Sequence, residues 1–213
     1  MGHVHEFKTM IDAAERLQGE PEIAFVFIGD GIAREWLEAE TAARGLTNVQ
    51  FRPYQPMDRL RWSLSVPDVH FVSLRPTLEG MIVPSKFYGI AAAGRPVIHV
   101  GDPDGEIARI VEREQCGWNF CIGEVGPLAR CILELSQRPH EAKEAGCRAR
   151  LAFDRQYARV HALKHWRRLT GLCLLYRSSA RDGGGRAGVF GYCRGKNDGS
   201  GRGTDYWSSF WSA

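Results

Sequence analysis

This 213-residue chain is short of several things, and each shortage removes a class of protein. No apolar run approaches the ~18 residues a membrane span requires. The opening MGHVHEFKTM has no charged region followed by a hydrophobic core, so no secretory leader is read. The expected location is cytoplasmic, with association at the inner membrane face a property of a larger, complete enzyme. Six cysteines (Cys116, Cys121, Cys131, Cys147, Cys173 and Cys193) include no CxxC pair. Their irregular spacing fits free thiols in a reducing compartment better than a disulfide or zinc framework. An excess of one charge is also lacking over most of the chain, because residues 1–170 hold 22 Lys+Arg and 22 Asp+Glu. A neutral domain offers no concentrated basic face, so nucleic acid is not an expected partner. The net charge of +3 arises in residues 171–213, a stretch with ten glycines, many Ser and Arg, and no apolar periodicity. That composition predicts a disordered tail behind a domain of residues 1–170, and leaves Trp207 and Trp211 without a core to join.

What is present in residues 1–170 is an alternation of strands and helices. Val4, Phe7, Met10, Ile11, Ala14 and Leu17 recur at helical spacing over residues 4–18. EIAFVFIGDG then reads as a strand buried on both faces, ended by Gly29-Asp30-Gly31. A helix follows over IAREWLEAETAARG, stopped by Gly45. NVQFRPY is the next strand, PMDRLRWSLSV a short helix, DVHFVSL a third strand, KFYGIAAAG a helix and PVIHV a fourth strand. GEIARIVEREQCG predicts a helix closed by Gly117, and further helices are expected over about 125–137, 140–158 and 161–170. Such alternation predicts an α/β fold with a parallel, doubly wound sheet. The chain opens on a helix where such a domain normally opens on a strand, so either the first strand is missing, which is the expectation carried forward, or Gly2 is the remnant of its phosphate-binding turn.

In an open parallel sheet ligands collect outside the carboxyl ends of the strands, which points to the loops after Ile28, Tyr54, Leu74 and Val100. The loop RPTLEGMIVPSK sets Ser85 and Lys86 at the start of the alanine-rich helix, where free backbone N–H groups favour an anion and the ammonium adds a full charge. Ala91, Ala92, Ala93 and Gly94 let that helix pack closely. Without context, Pro84-Ser85 is equally a plain helix start with Ser as N-cap.

The run EGMIVPSKFYGIAAAGRPVI resembles the nucleotide-sugar-binding signature of GT-B glycosyltransferases, in particular the large retaining family 4, and within it the colanic-acid type of bacterial surface-polysaccharide enzymes. MGHVHEF is similar to the glycine turn and first helix of the C-terminal domain, FVFIGDGIAREWLE to the next strand-turn-helix, NVQFRPYQPMDRL to the element bordering the base, and GDPDGEIARIVEREQCGW to the segment after the signature. The resemblance covers about residues 1–170. It implies the Rossmann-like, donor-binding half of a GT-B enzyme and a UDP- or GDP-sugar as donor. A glycan or lipid-linked acceptor would be held by an N-terminal domain absent here, so the chain is expected to be an incomplete fragment, inactive alone. No metal or other cofactor is needed for such transfer, since a cation and a helix start stabilise the departing diphosphate.

Residue by residue, the resemblance makes Lys86 the catalytic cation and Glu79 the counterpart of the first carboxylate of the family's Glu pair. Gly2, His5, Arg52, Tyr54, Gly80, Ser85 and Glu106 become donor-binding candidates. Glu106 alternatively caps the following helix. The second Glu of the family pair is replaced by Gly89, and His3 stands where relatives often have Arg. His161 and His165 are four apart on a helix with no third ligand in view, which favours a solvated face over a metal. His70 and His99 read as core histidines, His99 with an alternative reach to the cleft. Two other functions remain open at this stage: a non-catalytic nucleotide-sugar-binding partner, and a fragment of a UDP-sugar 2-epimerase.

Overall fold

The computed structural model describes residues 5–170. In chain order these form α1 (Lys8–Arg16), β1 (Phe25–Ile28), α2 (Ala33–Ala43), β2 (Val49–Arg52), α3 (Leu60–Ser65), β3 (His70–Ser73), α4 (Lys86–Ala92), β4 (Val97–Val100), α5 (Glu106–Glu114), β5 (Gly117–Phe120), α6 (Val125–Gln137), α7 (Pro139–Ala152) and α8 (Arg159–Thr170). Single 3-10 turns at Met57–Arg59 and Pro76–Leu78 lead into α3 and follow β3.

All strand pairings are parallel, in two ladders: β1 beside β2, and β3-β4-β5 with β4 central. The α/β architecture with parallel strands is the expected one. β4 shows why a continuous apolar run was needed, since all four of its residues are buried. Ile98 and Val100 join Met10, Ile11, Phe25, Phe27 and Leu128 in one core, whereas Val97 joins Val72, Phe87, Ile90, Ile107 and Val111 in another. Helices α1 and α6 therefore cover one face, and α4, α5 and α7 the other. Burying both faces of the central strand removes apolar area worth about 25 cal/mol per Å².

Three local expectations are corrected. The helix read as closing at Gly117 ends at Gln115, which adopts the left-handed conformation (φ 49°). Gly117 instead opens β5, pressed so close to Val97 that a Cβ there would collide with the Val97 carbonyl. The helix read over 140–158 stops at Ala152, winds through a π turn at Phe153–Tyr157 and breaks at Ala158, whose extended backbone (φ −63°, ψ 145°) separates it from α8. The first helix is shorter than its apolar pattern, with Phe7 at its N-cap rather than inside it.

The small residues after Lys86 do their packing at the far end of α4. Gly94 (φ +69°) lies against Gly146 of α7, and Arg150 donates to the Ala92 carbonyl at 2.7 Å. Backbone meets backbone there because Gly146 carries no Cβ, while Gly94 is needed for its positive φ. That contact fixes the helix whose first residue is Lys86.

Candidate donor site

The carboxyl ends of β1 and β3 border a cavity of about 360 Å³ lined by His5, Phe7, Lys8, Trp36 and Arg75 among others. Three elements shape it: the chain entering α1, the start of α2, and the loop leaving β3. The entry to α1 is tied down because the His5 ring bonds the Ser73 carbonyl through Nδ1 at 2.8 Å, while the Glu6 N–H donates to Ser73 Oγ at 3.0 Å. Glu6 in turn accepts from the Thr9 N–H at 3.1 Å, serving a free amide of the first helical turn. On the other side, Arg34 of α2 donates to the Gly29 carbonyl at 2.9 Å and to Asp30 at 3.0 Å, which holds the glycine turn after β1.

The cavity lining carries the Lys8 and Arg75 cations against the single carboxylate of Glu6. Burial lowers the His5 pKa below the usual histidine value, partly offset by the bond to Ser73, and the Lys86 charge lowers it further. His5 is thus a neutral imidazole near pH 7 that donates from Nδ1. Lys86 is the first residue of α4; although exposed, its ammonium is desolvated by surrounding protein, which holds its pKa below the usual lysine range. Ser85 occupies the N-cap position without a side-chain cap bond, so its exposed hydroxyl is not committed to the helix. Because α4 has only seven residues, its dipole is weaker than the sequence reading supposed, and the ammonium supplies the larger share of the field.

Glu79 lies elsewhere, at the start of α5. Its carboxylate is packed so closely on Gly105, the N-cap of that helix, that a Cβ at Gly105 would strike Glu79 Oε1. Oε1 is buried and has no hydrogen-bond partner. Gly80 beside it takes φ +77°, the conformation that lets the loop turn back. Glu106, first in α5, is exposed, makes a 3.9 Å contact with Arg109 and raises the Tyr88 pKa after burial has done so. Tyr54 is 66 % exposed and stands close to Gly29, with 3.9 Å between its ring and the position of a Gly29 Cβ. Arg52 ends β2, is exposed, and donates to Gln50 at 2.9 Å. Gly89 is buried beside Leu64, so no ribose-facing group is supplied from that position. Gly2 and the tail tryptophans lie outside the described residues.

Of the predicted residues, the structure sets His5 in the cavity lining and Tyr54 beside the β1 turn, leaves Lys86 and Ser85 at the start of α4 outside that lining, and gathers Glu79 and Glu106 at α5. Ser73, Arg75 and Trp36 went unread in the sequence. Arg75 follows directly on β3 in the very loop singled out, and that position was the available signal. His70 bonds the Leu64 carbonyl at 2.8 Å and is a satisfied core histidine. His99 is fully buried with neither ring nitrogen partnered, and burial pushes its pKa down to about 4. His161 bonds the Asp154 carbonyl at 2.9 Å. Among the described residues no group of three or more His, Cys, Asp or Glu is placed to hold a metal ion. Among them, too, no helix is long and apolar enough to cross a membrane.

Comparison with known proteins bears on this arrangement. The chain is 28% identical over 137 residues to WbjE of Pseudomonas aeruginosa, named a glycosyltransferase, covering 64% of this chain and 34% of WbjE. It is 32% identical over 112 residues to WcaI of Escherichia coli K12, named a glycosyl transferase of colanic acid biosynthesis, covering 53% of this chain and 27% of WcaI. The chain thus spans about a third of the length of these relatives. The crystal structure of Anabaena HepE in complex with UDP-glucose superposes with a TM-score of 0.62 at 18% identity, over 77% of this chain and 44% of HepE. At that identity the likeness shows the fold, the Rossmann-like arrangement of a GT-B half. The sequence profile of the family described as "Glycosyl transferases group 1" matches residues 1–138, well over half of the chain, and the chain belongs to that family.

Proposed function

We propose that this chain carries the nucleotide-sugar donor site of a retaining, family 4 type glycosyltransferase that moves a sugar from a UDP- or GDP-sugar to a glycan or lipid-linked acceptor. The observation that carries the reading is the cavity at the carboxyl ends of β1 and β3, lined by the neutral His5 and by Arg75, with Lys86 opening α4. HepE, which shares this fold, is seen with UDP-glucose. In the proposed site the Lys86 ammonium and the Arg75 guanidinium take the diphosphate, Ser85 donates from its hydroxyl, and His5 contributes a hydrogen bond rather than a charge. As the glycosidic bond to the leaving phosphate breaks, negative charge grows on the diphosphate, and a fixed cation in a partly desolvated place stabilises it more than the ground state. No metal is called for by this scheme. The acceptor and its alignment belong to the larger enzyme, since orientation of both substrates accounts for several kcal/mol of the barrier.

Calorimetry with UDP and GDP on the purified chain tests the reading. Lys86→Ala is expected to weaken nucleotide binding by about 1.5–3 kcal/mol, roughly ten- to a hundredfold, the range for a hydrogen bond to a charged group. Binding left unchanged by Lys86→Ala, or no binding of either nucleotide to the wild type, refutes it.

A further inference from the structure

We propose that the outer face of α3 is a docking surface for an anionic lipid bilayer, into which Trp62 and Val66 insert and to which the neighbouring arginines are drawn. Short as it is, α3 has two different sides. Leu64 packs inward beside Phe87 and Ile90 of α4, its Cδ1 atom 3.4 Å from the position of a Gly89 Cβ. The turn of the helix carries Trp62 and Val66, four residues apart, to the side opposite Leu64. They are 60% and 78% exposed, and Met57, in the turn that leads into the helix, is 39% exposed. Exposed apolar side chains that stand together, unlike single ones, mark an interaction surface.

Charge identifies the occupant. Arg59 and Arg61 are exposed beside Trp62, and the Arg61 guanidinium lies 4.8 Å from the centre of the Trp62 ring. Arg95 adds a third cation by donating to the carbonyl of Ser65, the last residue of the helix. Asp58 and Asp68 are the carboxylates of this stretch. The imbalance is wider than the helix, because residues 51–100 hold 6 Lys+Arg and 3 Asp+Glu, whereas residues 1–50 hold 4 and 9. The acidic stretch packs through Ile11 of α1 and Leu37 of α2 on one core, and α3 packs through Leu64 on the other, so the two excesses lie on opposite faces of the fold. A domain neutral in sum is thereby polarised, and a negatively charged plane turns the α3 face toward itself while repelling the other.

Shape favours lipid over protein. Trp62 and Val66 project from a single helix, and neither the 360 Å³ cavity nor a second one of about 270 Å³ beside Arg148 is lined by either of them. A protein partner must bring a hollow that matches such projections. The headgroup layer of a bilayer admits them without one, since an indole ring settles at the boundary between headgroups and acyl chains while arginines pair with lipid phosphates. The proposal stands apart from the donor-site reading and uses none of its residues.

The test is sedimentation of the full chain with vesicles of about 30% phosphatidylglycerol in phosphatidylcholine, with pure phosphatidylcholine vesicles as control, and amide hydrogen exchange on the same mixtures. Binding to the anionic vesicles alone is expected, with exchange slowed over residues 57–66. The double variant Trp62→Gln, Val66→Gln should weaken it about tenfold or more, and Arg59→Gln, Arg61→Gln should weaken it and flatten its dependence on salt. All four side chains are exposed, so unchanged urea midpoints verify that the variants fold, and the exchange measurement needs no substitution. The proposal is overturned by no binding to anionic vesicles, by binding that both double variants leave intact, or by slowing confined to residues outside 57–66. It is overturned as well by a dimer that the Trp62 variant abolishes while vesicles go unbound, a result that would assign the face to a second copy of the chain.

Discussion

Replacing Gly146 by Ala sets two effects of opposite sign against each other. Gly146 lies inside α7, where Ala is intrinsically better by about 1 kcal/mol because it loses less backbone freedom on folding. Against that, the new methyl would strike the Gly94 carbonyl oxygen, with the Gly94 carbonyl carbon at 3.1 Å and Pro96 Cδ at 3.2 Å. The obstacle is backbone, and Gly94 is held at φ +69° just before β4, so it cannot swing aside as a side chain would. Overpacking of this sort costs about 1–3 kcal/mol, and at the tighter end the cost exceeds the propensity gain. The expected net is a loss of roughly 1–2 kcal/mol, read as a lower urea midpoint at unchanged slope. Gly126→Ala in α6 is the control. Its only near neighbour is the flexible Arg16 guanidinium at 3.3 Å, so that variant should hold its midpoint or rise. A higher midpoint for Gly146→Ala would refute the claim that α7 and the end of α4 touch through backbone.

Acid should weaken the fold through its buried histidines. His99 has a folded pKa of about 4 against 6.5 in the open chain, so below pH 6.5 the unfolded state takes up the proton first. Stability is therefore full above pH 6.5 and falls as pH drops toward 4, by about 3 kcal/mol from this one group. Urea midpoints of the wild type and His99→Gln at pH 7 and 4.5 check the sign, and an equal drop in both would remove His99 from the account. Cys116 and Cys131, each pushed up to about 11 by burial, should be alkylated at pH 8 far more slowly than the exposed Cys147, on the order of a hundredfold. Peptide mapping after brief iodoacetamide treatment reads this directly, and early loss of the Cys116 thiol would contradict its burial.

The sequence disclosed β1 to β4 because each is a run of β-branched and aromatic residues bounded by Gly, Pro or Asp, and it disclosed their parallel arrangement through the helices between them. β5 escaped because GWNF alternates in neither polarity nor burial, and because Gly117 looks like a helix stop when its actual role is close contact with Val97. The π turn at Phe153–Tyr157 carries no glycine or proline to announce it, although the break that follows at Ala158 was read to within a few residues. The position of Lys86 at the start of α4 was legible from the Pro84-Ser85 helix start. The bonds that Ser73 makes to His5 and Glu6 were not, since it acts through a carbonyl and a hydroxyl that any strand-end serine possesses. The placement of Glu79 against Gly105 depends on a loop folding back over 26 residues of chain, which no local pattern encodes.

Dividing the parallel strands into two ladders has a cost outside the site. A continuous sheet has two edges, whereas β1, β2, β3 and β5 each present one among the described residues. Exposed edges are templates for sticking to like neighbours, and here one of them carries exposed Val26 and Ile28. Solubility of the isolated chain should consequently fall off steeply with concentration, and its survival in a cell would depend on chaperone capture as much as on thermodynamic stability.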